Sequence, residues 1–260
     1  LEHAPLLRVM LVKAGPRHSR VIYSMHHIVG DGWSLEILKK ELAHYYHRWK
    51  ENRGDDLQPL AVQYKDFAVW HNDQVGDGPG KAYQDHPSYA FWRKKLTHGV
   101  PILQLPRSAA AQKEDIAGAG YRHYLDNSVK EKLLELAAAN QTSLFTVMFA
   151  FYLLVLRRYT SQQEIVSSII NAGRTREEIS PVIGFFVNSL VFTVQIDDHE
   201  PLDAFVKRIH TDVMDLFHHQ DFPLEPVFRD MGVPYPEIPV SFNMANVLED
   251  TSFSEIDAPE

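Results

Sequence analysis

The stretch Met25-His26-His27-Ile28-Val29-Gly30-Asp31-Gly32-Trp33-Ser34 sets two adjacent histidines, an aspartate and two glycines at an abrupt strand-to-helix junction. Before it, Arg20 to Met25 is rich in strand formers; after it, Ser34 is a candidate N-cap for a helical run from Leu35 to Lys50. Side chains at such a junction lie at the rim of a sheet. If the strand persists through the pair, His26 and His27 point to opposite faces, so one is the working group and the other a brace. Imidazole is the side chain best suited to taking a proton and returning it near neutral pH. Asp31 is expected to anchor the turn by pairing with an arginine or with backbone N–H groups. Gly30 and Gly32 are expected to adopt angles that a β-carbon would forbid, and Gly32 to leave its N–H approachable by a substrate oxygen.

A His-His pair with an acid nearby also suggests a metal site, but adjacent strand residues aim two rings at one point poorly, so no metal is assigned. With each residue type at about one in twenty, four fixed positions coincide by chance about once in 10⁵. The pattern therefore favours catalysis over accident in a chain of 260 residues.

Composition narrows the classes. An apolar content of 45% and a charged content of 23% are those of a globular protein with ample core. The net charge of -8, without a basic block, argues against nucleic acid and anionic membrane as partners. The absence of cysteine excludes disulfides and a thiol nucleophile and fits a cytoplasmic location; no Gly-x-Ser-x-Gly elbow offers a serine carrier. Leu1 to Pro5 does not read as a signal peptide, and the longest apolar run, Leu144 to Leu156, is too short to span a bilayer about 30 Å thick.

Outward from the motif, residues 6 to 12 read as a strand joined to Arg20–Met25 by a Gly15-Pro16 turn. Leu35, Leu38, Leu42, Tyr45 and Trp49 make one face of the following helix, with Gly54 as its stop. Tyr64, Phe67 and Trp70 form an aromatic stripe of the kind usually found in a core. Residues 76 to 88 read as a loop, Ser88 to Leu96 as a short helix and Tyr121 to Leu125 as a strand. Gly118-Ala119-Gly120 lacks the spacing of a nucleotide fingerprint. Ser128 to Glu131 forms a capping box for a helix to Ala139, and an apolar helix follows from Ser143 to Arg158. Strands at Glu164–Ile170, Ser189–Ile196 and Ile238–Met244, with a helix begun by Pro201, complete an α/β pattern. In Val182 to Leu190, Phe185, Phe186 and Val187 suggest an apolar wall, with Asn188 either orienting something there or serving as a structural amide. His218-His219-Gln220-Asp221 holds metal-competent letters, but a helix-end histidine before a proline-fixed turn explains them equally.

Met25 to Ser34 resembles the His-His-x-x-x-Asp-Gly motif of the condensation-domain superfamily, and most of all the condensation domains of nonribosomal peptide synthetases. Tyr64-x-Asp66-Phe67-x-x-Trp70, Ile183-Gly184-x-Phe186-Val187-Asn188 and His219-Gln220-Asp221-x-Pro223-x-Glu225 are similar to further segments of that family, in the same order. The resemblance implies a two-lobed, chloramphenicol acetyltransferase-like α/β fold, here partial. Residues 1–107 would be the remainder of the N-terminal lobe and 108–260 most of the C-terminal lobe, with a channel between them.

It also implies that two carrier proteins deliver thioesters on 4'-phosphopantetheine arms, with an adenylation domain adjacent and no cofactor held by the domain itself. An amine attacking a thioester must lose a proton from nitrogen and gain support at oxygen. His27 is assigned the first role and the Gly32 N–H the second, with His26 and Asp31 supporting and Trp33, Ser34 and Asn188 as channel candidates. Epimerisation, ester formation and non-catalytic docking are the alternatives. The family's upstream Arg-His-x-x-Leu-Arg segment is missing, so the arginine partner of Asp31 is expected outside this chain. Met231-Gly232-Val233-Pro234 stands where the family has Ser-Arg-x-Pro, and the chain reads as an internal fragment.

Overall fold

The computed structural model describes residues 4–16, 18–54, 56–76, 82–106 and 118–244. They divide into two compact units that interleave along the chain: residues up to 83 with 171–188, and residues 84–170 with 189–244. The single boundary expected near 108 lies outside the described residues.

In the first unit, β1 (Leu7–Lys13) and β2 (Ser19–Met25) pair antiparallel from Leu7 opposite Met25 to Lys13 opposite Ser19. The hairpin turn closes where the His18 carbonyl accepts from the N–H groups of Ala14 and Gly15 at 2.8 and 3.1 Å. Its apolar residues, Val9, Met10, Leu11 and Ile22 among them, are exposed.

Helix α1 (Gly32–Lys50) starts three residues earlier than expected, because Asp31 and not Ser34 is its N-cap: the carboxylate accepts the Ser34 N–H at 2.8 Å. His47, Arg48 and Lys50 close the helix against its dipole. The helix stops ahead of the expected Gly54, with Glu51 as its C-cap and Asn52 left-handed at φ 53°, and Arg48 donates to the Gly54 carbonyl. The outer end of the expected apolar face stays out of the core, since Tyr45 and Trp49 are exposed.

Helix α2 (Tyr64–Val75) opens with the Asp66 carboxylate accepting the Gln63 N–H at 2.9 Å. Its Tyr64 and Phe67 pack with Leu60 and Val62 against buried Ile179, Val182 and Phe186. This small core joins residues 60–67 to the returning segment 171–188. Trp70 lies under the Arg176 guanidinium at 4.4 Å instead.

The second unit holds α3 (Pro87–Lys95), α4 (Asn127–Ala139), α5 (Leu144–Thr160), α6 (Leu202–His218) and α7 (Glu225–Asp230). They accompany a three-stranded sheet in which β3 (Glu164–Asn171) lies between β4 (Asn188–Gln195) and the two-residue β5 (Ser241–Phe242). Strands β3 and β5 are parallel. The apolar α5 packs on this sheet, with Phe149 edge-on to Phe192 at 4.9 Å and tilted against Phe242 at 5.2 Å. Val147, Phe149, Ala150 and Leu153 are fully buried. Each such large side chain contributes about 1.5–3 kcal/mol.

Three local expectations fail. Among the described residues Tyr121–Leu125 forms no strand, and its tyrosines stand exposed. Ser128 is no cap, because α4 begins at Asn127 and Asp126 holds the N-cap position. The strand expected over 238–244 shortens to β5. The His218–Glu225 segment is structural: His219 stacks on Phe91 at 4.0 Å, its Nδ1 lies 2.9 Å from Ser88 Oγ, and its carbonyl accepts from Trp92 Nε1. Burial, then neighbouring His218, holds the His219 imidazole below its ordinary pKa.

Candidate active site

Strand β2 ends at Met25, and the His26 N–H makes the last rung to the Leu6 carbonyl at 2.8 Å. The chain then enters a single 3-10 turn, His27–Val29, so the two imidazoles are not alternate residues of one strand. His26 caps the turn, its Nδ1 accepting the Ile28 N–H at 3.1 Å.

His27 is exposed, and its Nδ1 lies 3.0 Å from the Gly30 carbonyl. A carbonyl only accepts, so Nδ1 carries the proton and the neutral ring presents Nε2 as a free base. The ring meets Phe185 edge to face, with centroids 5.2 Å apart and planes at 90°.

Asp31 is buried, 3% exposed. Its Oδ1 takes the Ser34 N–H at 2.8 Å, the Ser34 hydroxyl at 2.7 Å and Arg174 Nη2 at 3.3 Å, while Oδ2 takes the Phe186 N–H at 3.1 Å. Burial alone would raise its carboxyl pKa; the Ser34 bonds, the Phe186 N–H and the Arg174 charge outweigh it and hold the group below the ordinary aspartate range. Arg174 corrects the expectation that the arginine partner lies outside this chain. Burial pulls its guanidinium down, with Asp31 pushing back. Its Nη1 donates to the carbonyls of Ile179 and Val182 at 2.6 and 2.7 Å, and its plane lies over Phe186 at 4.2 Å.

Arg174 escaped the sequence reading because its partner is 143 residues away. A trace exists in Gly173, whose φ of +66° suits glycine and where an added β-carbon would meet the Phe186 carbonyl. Tyr64, expected only in a core stripe, reaches the expected apolar wall: its hydroxyl donates to the Phe185 carbonyl at 2.9 Å.

Several site expectations change. Ser34 lines no open surface, being 1% exposed. Its Oγ lies 2.7 Å from Asp31 Oδ1 and 2.8 Å from the Gly184 carbonyl, acceptors that share one proton, and accepts from the Gly184 N–H and Arg174 Nη2. Trp33 is half-buried, its Nε1 donating to the Ser180 carbonyl at 3.0 Å. Gly30 is extended, φ −178°, and what its missing side chain leaves room for is Met25 and Ser34. Gly32 is the exposed first residue of α1, with open space where a β-carbon would stand, so its backbone is approachable without unusual angles. Asn188 is half-buried at the start of β4. Among the described residues no group of three or more His, Asp or Glu is placed to hold a metal, and no single helix is long and apolar enough to cross a membrane.

Together these contacts place an exposed imidazole in a fixed tautomer on a loop that a buried ion pair ties to a second segment. Surfactin synthase subunit 1 of Bacillus subtilis (strain 168) is 32% identical over 258 residues, which is 96% of this chain and 7% of that protein. Among solved structures, holo-AB3403, a four-domain nonribosomal peptide synthetase bound to AMP and glycine, superposes with a TM-score of 0.74 at 20% identity, covering 94% of this chain and 18% of that one. The first condensation domain of the CDA synthetase superposes at 0.70 and 20% identity, covering 93% of this chain and 53% of that one. The chain thus spans under a tenth of that synthase and about half of that solved domain. The family model described as Condensation domain matches residues 1–259, and the chain belongs to that family.

Proposed function

We propose that this domain forms peptide bonds, by attack of a carrier-bound aminoacyl amine on an upstream carrier-bound acyl or peptidyl thioester. The observation that carries the reading is the exposed His27 ring with its Nδ1 proton committed to the Gly30 carbonyl. The amine nitrogen bonds to the thioester carbon, and Nε2 of His27 takes the proton that nitrogen must shed. The Gly32 N–H supports the oxyanion. When the tetrahedral species collapses, the C–S bond breaks and the proton passes to the departing phosphopantetheine thiolate. His26 and Asp31 hold the loop.

The reading implies donor and acceptor carrier proteins as partners, an adenylation domain beside this one, and a cytoplasmic setting. The domain holds no cofactor of its own; the 4'-phosphopantetheine arms arrive with the carriers, and their tethering supplies much of the rate by proximity. Reconstitution of the protein carrying this domain with two loaded carriers tests it. Dipeptidyl thioester supports condensation; an inverted Cα, an ester product, or carrier binding without turnover would replace it by epimerisation, ester formation or docking. In the same assay His27→Ala is expected to cut the rate by about 10²–10⁴, the worth of general-base help, while carrier binding stays. A variant as fast as the parent removes His27 from the mechanism.

A further inference from the structure

One hydrogen bond from Nδ1 does not orient an imidazole, because the ring can still swing about that bond. A further contact on His27 is Phe185, edge to face at 5.2 Å. A side chain can steady its neighbour only if its own backbone is held, and here three successive residues are pinned. Ser34 Oγ takes the N–H of Gly184, Tyr64 donates to the carbonyl of Phe185, and Asp31 takes the N–H of Phe186.

The pinned backbone alternates. Gly184 and Phe186 face inward, the latter into the core with Ile179 and Val182, while Phe185 faces out at 39% exposure. A β-carbon at Gly184 would press on the Tyr64 ring, so any larger residue there would have to displace that side chain. A phenylalanine held outward contributes little to the core, and its ring meets the imidazole.

We infer that Phe185 is a positioning residue for His27, held by a clamp made of Asp31, Ser34 and Tyr64. The inference deepens the proposed role of His27 and rests on it for its kinetic arm only. On this account the buried acid of the motif acts at two places: it builds the turn under His27, and through the Phe186 N–H it sets the wall beside it.

The test uses the full protein carrying this domain, with Phe185→Ala, Phe185→Tyr and Tyr64→Phe. Phe185→Ala should lower kcat between about tenfold and 10²-fold, the cost of displacing a catalytic group by up to about 1 Å, with KM for both loaded carriers nearly unchanged. Phe185→Tyr should restore most of the loss, since it keeps the ring. Tyr64→Phe, which removes one hydroxyl, should reproduce part of it. Independently of turnover, diethylpyrocarbonate should modify His27 several-fold faster in Phe185→Ala than in the parent, read by peptide mass mapping. If the parent makes no dipeptide, the proposed function fails while the modification rate still decides this inference. An unchanged His27 modification rate in Phe185→Ala overturns it, as does a kcat loss that Phe185→Tyr does not restore.

Discussion

Asp31 gives up water on folding, and two backbone N–H groups, a hydroxyl and a guanidinium replace it. Removing one partner of such a buried pair leaves the other charge uncompensated, at a cost of about 3–5 kcal/mol. Arg174→Ala should therefore lower the urea midpoint markedly although Arg174 makes no exposed contact; a change within error would mean the pair contributes nothing. The pH dependence has a definite sign. The folded carboxyl titrates below its ordinary value of about 3.9, so the folded state binds fewer protons than the unfolded one in that window. The stabilisation is complete above it and drains away as the pH falls toward the folded value. Asp31→Asn should show its full deficit at neutral pH and a shrinking one below about pH 4, where the parent also loses its carboxylate. A deficit that stays constant through that range would show that the charge of Asp31 is not what stabilises the turn.

The elements that repeat a local pattern were legible in the chain: the hairpin, α1, α2, α5, α6 and the strands β3 and β4 all fall within a few residues of where periodicity placed them. Misses came where a neighbour outbid local preference. Asp31 took the cap from Ser34 because its carboxylate is the stronger acceptor and lies one turn ahead. Tyr121–Leu125 has strand-forming residues, yet strand propensity needs a partner edge to be realised. The segment between β3 and β4 was read as a wall, but its anchors, Gly173 and Arg174, carry no periodicity. Gly173→Ala tests that anchor. Left-handed backbone costs an L-residue about 1–2 kcal/mol, and the added carbon would also strike the Phe186 carbonyl. The thermal midpoint should fall by more than the backbone cost alone implies, about 4 °C or more. A smaller shift would mean that 171–188 can move aside without loss.

Across the molecule, the order of elements was readable and their grouping was not. Residues 171–188 leave the sheet of the second unit and join the first, and nothing in the letters between Asn171 and Asn188 marks that return, because it is fixed by contacts with Asp31, Ser34 and Tyr64 far upstream. The Ile179–Val182–Phe186 core is accordingly small and built wholly from the first unit, whereas Phe149, Phe192, Ile209 and Leu216 are buried in the second. Truncating Phe186 should then act locally. Phe186→Ala removes a buried ring, at about 3–5 kcal/mol, and with it the surface on which the Arg174 guanidinium rests. Hydrogen exchange followed by mass spectrometry should show faster exchange in α1, α2 and 171–188, with α5, α6 and β3 unchanged, as expected when opening proceeds by cooperative sub-units. A uniform acceleration over α5 and α6 would instead show that both units open as one, and that the clamp around Asp31 stabilises the whole chain and not only the site it carries.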